Sequence, residues 1–124
     1  MKLIQLLGDL ILESLPKGGD CFDSAYNYMI ENGRLSDVRL VHGFVSGQGK
    51  LKGYRFAHAW CEKGEEVIDL SNGRDIRIPK VLYYVLGEID PAECKYYSYG
   101  KVLEKSIEHR HKGPWDIKNK HYRK

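Results

Sequence analysis

Three residues in this chain have the types and the order needed for thiol chemistry: Cys21, then His58, then Asp69. A thiolate, not a thiol, attacks a carbonyl, and a free cysteine has a pKa of about 8.5. A helix N-terminus or a neighbouring imidazolium lowers that value. Cys21 gains both aids if it opens a helix and His58 folds onto it. A carboxylate such as Asp69 then holds the imidazole in the tautomer that can take the proton. The trio specifies a reaction class, nucleophile plus base plus orienting acid, and leaves the substrate open.

The local sequence gives each of the three an address. Pro16 ends a first amphipathic helix whose apolar face carries Leu3, Leu6, Leu7, Leu10 and Ile11. After the loop Lys17-Gly18-Gly19, Asp20 is a helix N-cap. Phe22, Ala25, Tyr26, Met29 and Ile30 follow at helical spacing, and Asn32-Gly33 stops the helix. From Val38 the pattern becomes that of strands: 38–45, 54–62, 66–70 and 75–78, the last two joined by Ser71-Asn72-Gly73-Arg74. The simplest assembly is a meander of four antiparallel strands. Pro79 starts a helix over 81–86, 96–99 is one more short strand, and 100–109 is a last helix with Val102, Leu103, Ser106 and Ile107 inward. The fold class is α+β.

With Lys63-Gly64-Glu65 near the midpoint between them, His58 and Asp69 are roughly cross-strand partners, within reach of an imidazole-to-carboxylate hydrogen bond. Alternation puts His58 and Trp60 on one sheet face and Ala57, Ala59 and Cys61 on the other. For the thiol to meet the ring, the Cys21 helix is expected on the face of His58. Cys61 and Cys94 read as small buried hydrophobes.

Rival chemistries fit less well. His58-x-x-Cys61 with Cys21 or Cys94 offers zinc-ligating atoms, but side chains three apart on a strand point to opposite faces. Pro91-Ala92-Glu93-Cys94 lacks the second cysteine of a zinc deaminase signature. Gly47-Gln48-Gly49-Lys50-Leu51-Lys52-Gly53 joins two strands, whereas a phosphate-cradling Walker loop opens a helix and ends in Lys-Ser/Thr. His42, His109, His111 and His121 show no ligand spacing.

Gly19-Asp20-Cys21 with Ala25, then His58-Ala59-Trp60 with Glu62, then Ile68-Asp69 resembles the transglutaminase-like branch of the papain-like cysteine hydrolase superfamily. The likeness covers roughly residues 19–71 in the family's order, and His-Ala-Trp ahead of an Asp-bearing strand is its most specific part. It implies a papain-like, transglutaminase-like α+β fold with N-terminal helices packed on an antiparallel sheet and the cysteine at a helix N-terminus. It also implies Cys21 as nucleophile, His58 as base and Asp69 as orienter. The chemistry implied is amide or peptide hydrolysis, deamidation or acyl transfer through a thioester, on a protein or peptide substrate, with no cofactor and no metal. The family's glutamine a few residues before the cysteine has no counterpart. The Cys21 N–H supplies one oxyanion donor, and Gln5, Tyr54 and Trp60 are the candidates for the second. Gly113-Pro114-Trp115-Asp116 matches nothing in the pattern.

Length and composition suit one soluble globular domain over 1–124, with 42% hydrophobic and 30% charged residues arguing against disorder. Three cysteines form no disulfide framework, which suits a reducing compartment. No run reaches the ~18 residues of a membrane span, and Gly8-Asp9 and Glu13 interrupt any signal-peptide core. A cytoplasmic location is the expectation. Residues 109–124 carry a balance of +5, against −2 for the rest. They read as a solvated basic C-terminal tail, with weak affinity for an anionic partner as the functional alternative. The whole-chain alternative to an enzyme is an inactive papain-like binding module that uses its cleft and this tail to hold an acidic partner or nucleic acid.

Overall fold

The computed structural model describes residues 20–47, 52–117 and 121–123. The expected first helix, Gln5 and the middle of the 47–53 loop lie outside these residues. In chain order the elements are α1 (Asp20–Asn32), β1 (Val38–Ser46), β2 (Tyr54–Lys63), β3 (Glu66–Asp69), β4 (Ile76–Pro79), α2 (Lys80–Leu86), β5 (Lys95–Tyr97), α3 (Tyr99–His109) and β6 (His121–Arg123). The sheet runs β4-β3-β2-β1-β5, with β6 beside β2 off this path, and every pairing is antiparallel. The expected α+β class and four-strand meander are therefore present. No helix among the described residues is long and apolar enough to cross a membrane.

The sheet is buried on both faces, which explains why the alternating polar face of a half-exposed sheet is missing from β2. On one face Phe56 and Trp60 of β2 join Val41, Val45, Val67, Ile76 and Ile78, covered by Tyr83 and Tyr84 of α2. On the other, Ala57, Ala59 and Cys61 join Leu40, Ile68 and Tyr97, covered by Phe22, Ala25 and Met29 of α1 and Val102 of α3. The small residues of β2 let α1 settle close to the strand, where the Cys61 thiol donates to the Ala25 carbonyl at 3.3 Å. Ser98 caps α3 by accepting from the Lys101 N–H. Ile107, expected inward, is 75% exposed; the apolar stripe of this helix is narrower than its sequence suggests.

Of the expected tail 109–124, residues 113–117 lie against the body of the protein rather than free in solvent. Trp115 and Ile117 pack on the core beneath α1 and α3. Asp116 accepts from the Tyr97 hydroxyl at 2.6 Å and pairs with Lys105 at 3.0 Å, while Lys112 donates to Asn27. Residues 111–117 thus form a strap. It closes over His42, whose ring lies about 5 Å from each of the Phe22, Tyr97 and Trp115 rings. Gly113, at φ 115°, passes so close that a β-carbon there would sit 2.7 Å from the His42 ring.

Candidate active site

Asp69 ends β3 on the same face as Val67. The register pairs Cys61 with Ile68 and Glu62 with Val67, so Asp69 stands across from position 60 and His58 is its diagonal neighbour. The expected direct opposition is two residues out, because the turn between β2 and β3 holds only Gly64 and Glu65. Diagonal neighbours on one face remain within reach of long side chains. His58 Nε2 lies 3.0 Å from Asp69 Oδ2, with both side chains fully buried.

The Asp69 carboxylate is saturated. Its Oδ1 accepts from the Ser71 N–H at 3.0 Å and the Ser71 hydroxyl at 2.6 Å. Its Oδ2 accepts from the Tyr83 hydroxyl at 2.8 Å as well as from His58. Burial disfavours its charge, but the His58 charge and hydrogen bond and the two Ser71 bonds outweigh this and hold it below the usual carboxylate range. An ionised acid with four donors cannot rotate, so the imidazole it binds is fixed too.

Cys21 sits in the first turn of α1, fully buried. Asp20 is the first helical residue rather than a residue outside the helix, and its carboxylate accepts from the Asn72 N–H and, at 3.5 Å, from the Ser24 hydroxyl. Asn72 and Gly73 take the positive φ values, 56° and 73°, that Asn-Gly favours. The start of α1 is therefore tied to the loop that follows Asp69.

The helix lies on the opposite sheet face from the one expected. Cys21 belongs to the layer of Ala57, Ala59 and Cys61, whereas His58 shares its face with Trp60, their rings 6.1 Å apart. The two still interact. Among the described residues, the second edge of β2 pairs with β3 over Cys61–Lys63 and with β6 over Tyr54–Phe56. Burial alone would lower the His58 pKa; the charge of Cys21, then the charge and hydrogen bond of Asp69, and the Cys21 hydrogen bond reverse that and raise it above 6.5. With Nε2 engaged by Asp69, Nδ1 is buried without a hydrogen bond of good geometry. The structure thus brings together all three residues named from the sequence.

Trp60 cannot serve as an oxyanion donor, because its Nε1–H is committed to Glu62 at 2.9 Å. Tyr54 lies four residues along β2 from His58, about 13 Å at strand rise. Glu62 is itself a buried hub that accepts from Trp60, Arg39 and Tyr84 and lies 3.5 Å from the Lys80 amine. Cys61 and Cys94 are buried and reduced; burial pushes the Cys94 thiol up to about 11 and the Cys61 thiol higher. His58 and Cys61 face opposite sides of β2, and among the described residues no group of three His, Cys, Asp or Glu side chains converges as a metal site.

Sequence reasoning missed Tyr83 and Ser71. Tyr83 did carry a signal: a tyrosine on the buried side of a short helix needs a partner for its hydroxyl. It also missed Gly43, the cross-strand partner of His58, where a β-carbon would meet Cys94 Sγ at 2.8 Å and Trp60 at 2.9 Å. Compared with family models, curated proteins and solved structures, the chain matches none.

Proposed function

We propose that this chain is a cysteine-dependent acyl-transfer enzyme of the papain-like, transglutaminase-like type, with Cys21 as nucleophile, His58 as general base and acid, and Asp69 as orienter. The observation that carries the reading is the state of the His58 ring: Nε2 is bound to a saturated carboxylate, Nδ1 is free of any other hydrogen bond among the described residues, and Cys21 acts on the ring. In the reaction, the Cys21 thiolate forms a bond to an amide carbonyl carbon while the carbonyl electrons move to oxygen. The N–H groups of the first turn of α1, which have no partner within the helix, are the donors for that oxyanion. Collapse of the intermediate breaks the C–N bond, and the His58 proton passes to the departing amine. Water or a second amine, deprotonated by His58, then cleaves the thioester and restores the thiolate. The substrate class is the carboxamide or peptide bond of a protein or peptide, and no cofactor is required.

The full burial of Cys21 and His58 favours a second reading, a closed binding module of the same fold without turnover. Iodoacetamide alkylation, followed by peptide mapping across pH, separates the two. The enzyme reading expects Cys21 to react well below pH 8. Cys94, with a thiol near 11, is then about one part in ten thousand thiolate at pH 7, and Cys61 less. Equal reactivity of the three cysteines, rising only at alkaline pH, refutes the enzyme. Incubating wild type and Cys21→Ala with lysate, then comparing covalent adducts and modified peptides, identifies the substrate.

A further inference from the structure

Two adjacent tyrosines of α2 do the same thing to two different acids. Tyr84 donates to Glu62 Oε2, which also accepts the Trp60 N–H; Tyr83 donates to Asp69 Oδ2, which also accepts from His58. In each case a phenol and a ring N–H from β2 share one carboxylate oxygen. For Glu62 the ring partner is an indole that never titrates. For Asp69 it is an imidazole whose proton must come and go.

We propose that Tyr83 is a positioning residue for the acyl-transfer chemistry, setting how firmly Asp69 grips the proton-bearing His58 by occupying the same oxygen. This rests on the enzyme reading given above. The two donors compete for one oxygen. Facing neutral His58, Asp69 keeps its full charge and the Tyr83 bond is at its strongest. Facing the imidazolium, that charge is partly neutralised and the Tyr83 bond weakens. Tyr83 therefore favours the neutral ring relative to the charged one and opposes excessive retention of the proton.

The phenol is suited to this role. It is 1% exposed, its ring packs 5.3 Å from Trp60, and burial, then the charge and hydrogen bond of Asp69, raise its own pKa well above 10, so it remains a donor throughout the working range. The titratable groups that act most strongly on His58 are Cys21 from α1 and Asp69 from β3. Tyr83 bonds the second of these and also feels the charge of the first, so its effect is read with and without the thiol. The same hydroxyl also keeps Oδ2 from turning, which fixes the ring that Oδ2 holds through Nε2.

The test is a histidine NMR titration of wild type and Tyr83→Phe, repeated in a Cys21→Ala background to remove the thiol. The expected result is a His58 midpoint raised by about half a pH unit in both backgrounds, with the pH profile of Cys21 alkylation displaced in the same direction and those of Cys61 and Cys94 unmoved. An unmoved His58 midpoint in folded Tyr83→Phe overturns the proposal. If Tyr83→Phe fails to fold, 3-fluorotyrosine placed at position 83 alone keeps the shape and strengthens the donor; the midpoint must then fall, and an unmoved one is equally fatal. Failure of the enzyme reading is seen separately, as the absence of selective Cys21 alkylation in wild type. The His58 midpoint in the Cys21→Ala background still decides whether Tyr83 controls the ring.

Discussion

His42 offers the cleanest quantitative test of the packing described above. It is fully buried, neither ring nitrogen has a hydrogen-bond partner, and burial pushes its pKa down to about 3. In the unfolded chain it titrates at about 6.5. The folded state thus binds fewer protons than the unfolded one between these values, so stability is complete above about 6.5 and is lost as the pH falls toward 3. From pH 7.5 to pH 4 the loss attributable to this one ring is about 3 kcal/mol, from 2.5 pH units at 1.36 kcal/mol each. His42→Leu removes the titration and both unpaired nitrogens. Urea unfolding followed by the fluorescence of Trp60 and Trp115 should place the variant within about 1 kcal/mol of wild type at pH 7.5, since relief of two buried polar atoms offsets a change of shape. At pH 4 the variant should have gained about 3 kcal/mol over wild type. Other groups titrate in both proteins and cancel in the difference. Parallel stability curves between pH 7.5 and 4 would show that the strap yields and lets water reach the ring, and would refute the reasoning.

Three further outcomes are expected. His58→Ala should slow Cys21 alkylation at pH 7 by about 100-fold, the lower range for loss of a general base, measured by mass spectrometry against Cys94 as the internal standard. Glu62→Ala leaves the Arg39 guanidinium and the Trp60 and Tyr84 donors facing an empty acceptor, at a cost of about 3 kcal/mol in denaturant unfolding. Gly43→Ala drives a β-carbon against Cys94 and Trp60 and should cost about 1–3 kcal/mol, with a change in near-ultraviolet dichroism from the displaced indole.

What the sequence made legible is what depends on local chemistry. The helix after Gly19, the strand carrying His58, the Asn-Gly turn and the order of the meander all follow from period and punctuation. Register did not, because Lys63-Gly64-Glu65 does not say whether the two-residue turn falls at 63–64 or 64–65, and that one-place shift moves the partner of Asp69 by two, from His58 to Trp60. Nor did the side on which α1 packs. Periodicity says that Phe22, Ala25 and Met29 are buried, not against which face. Tyr83 reaches Asp69 across fourteen residues, a separation that no local pattern encodes. The charge of the C-terminal segment pointed to solvent, while Trp115 and Asp116 within it had partners on β5 and α3.

The split of the trio across the sheet has a consequence for the life of the molecule. Cys21 belongs to one layer and His58 with Asp69 to the other, and the Asn72 N–H bonded to Asp20 ties the start of α1 to the loop after Asp69. Any partly assembled state that has docked one layer but not both holds a thiol and an imidazole that do not yet interact. On the proposed enzyme reading, selective reactivity at Cys21 is therefore a coincidence signal, raised only when both layers are in place. Its rate of appearance during refolding times the last docking event, with no label added to the chain.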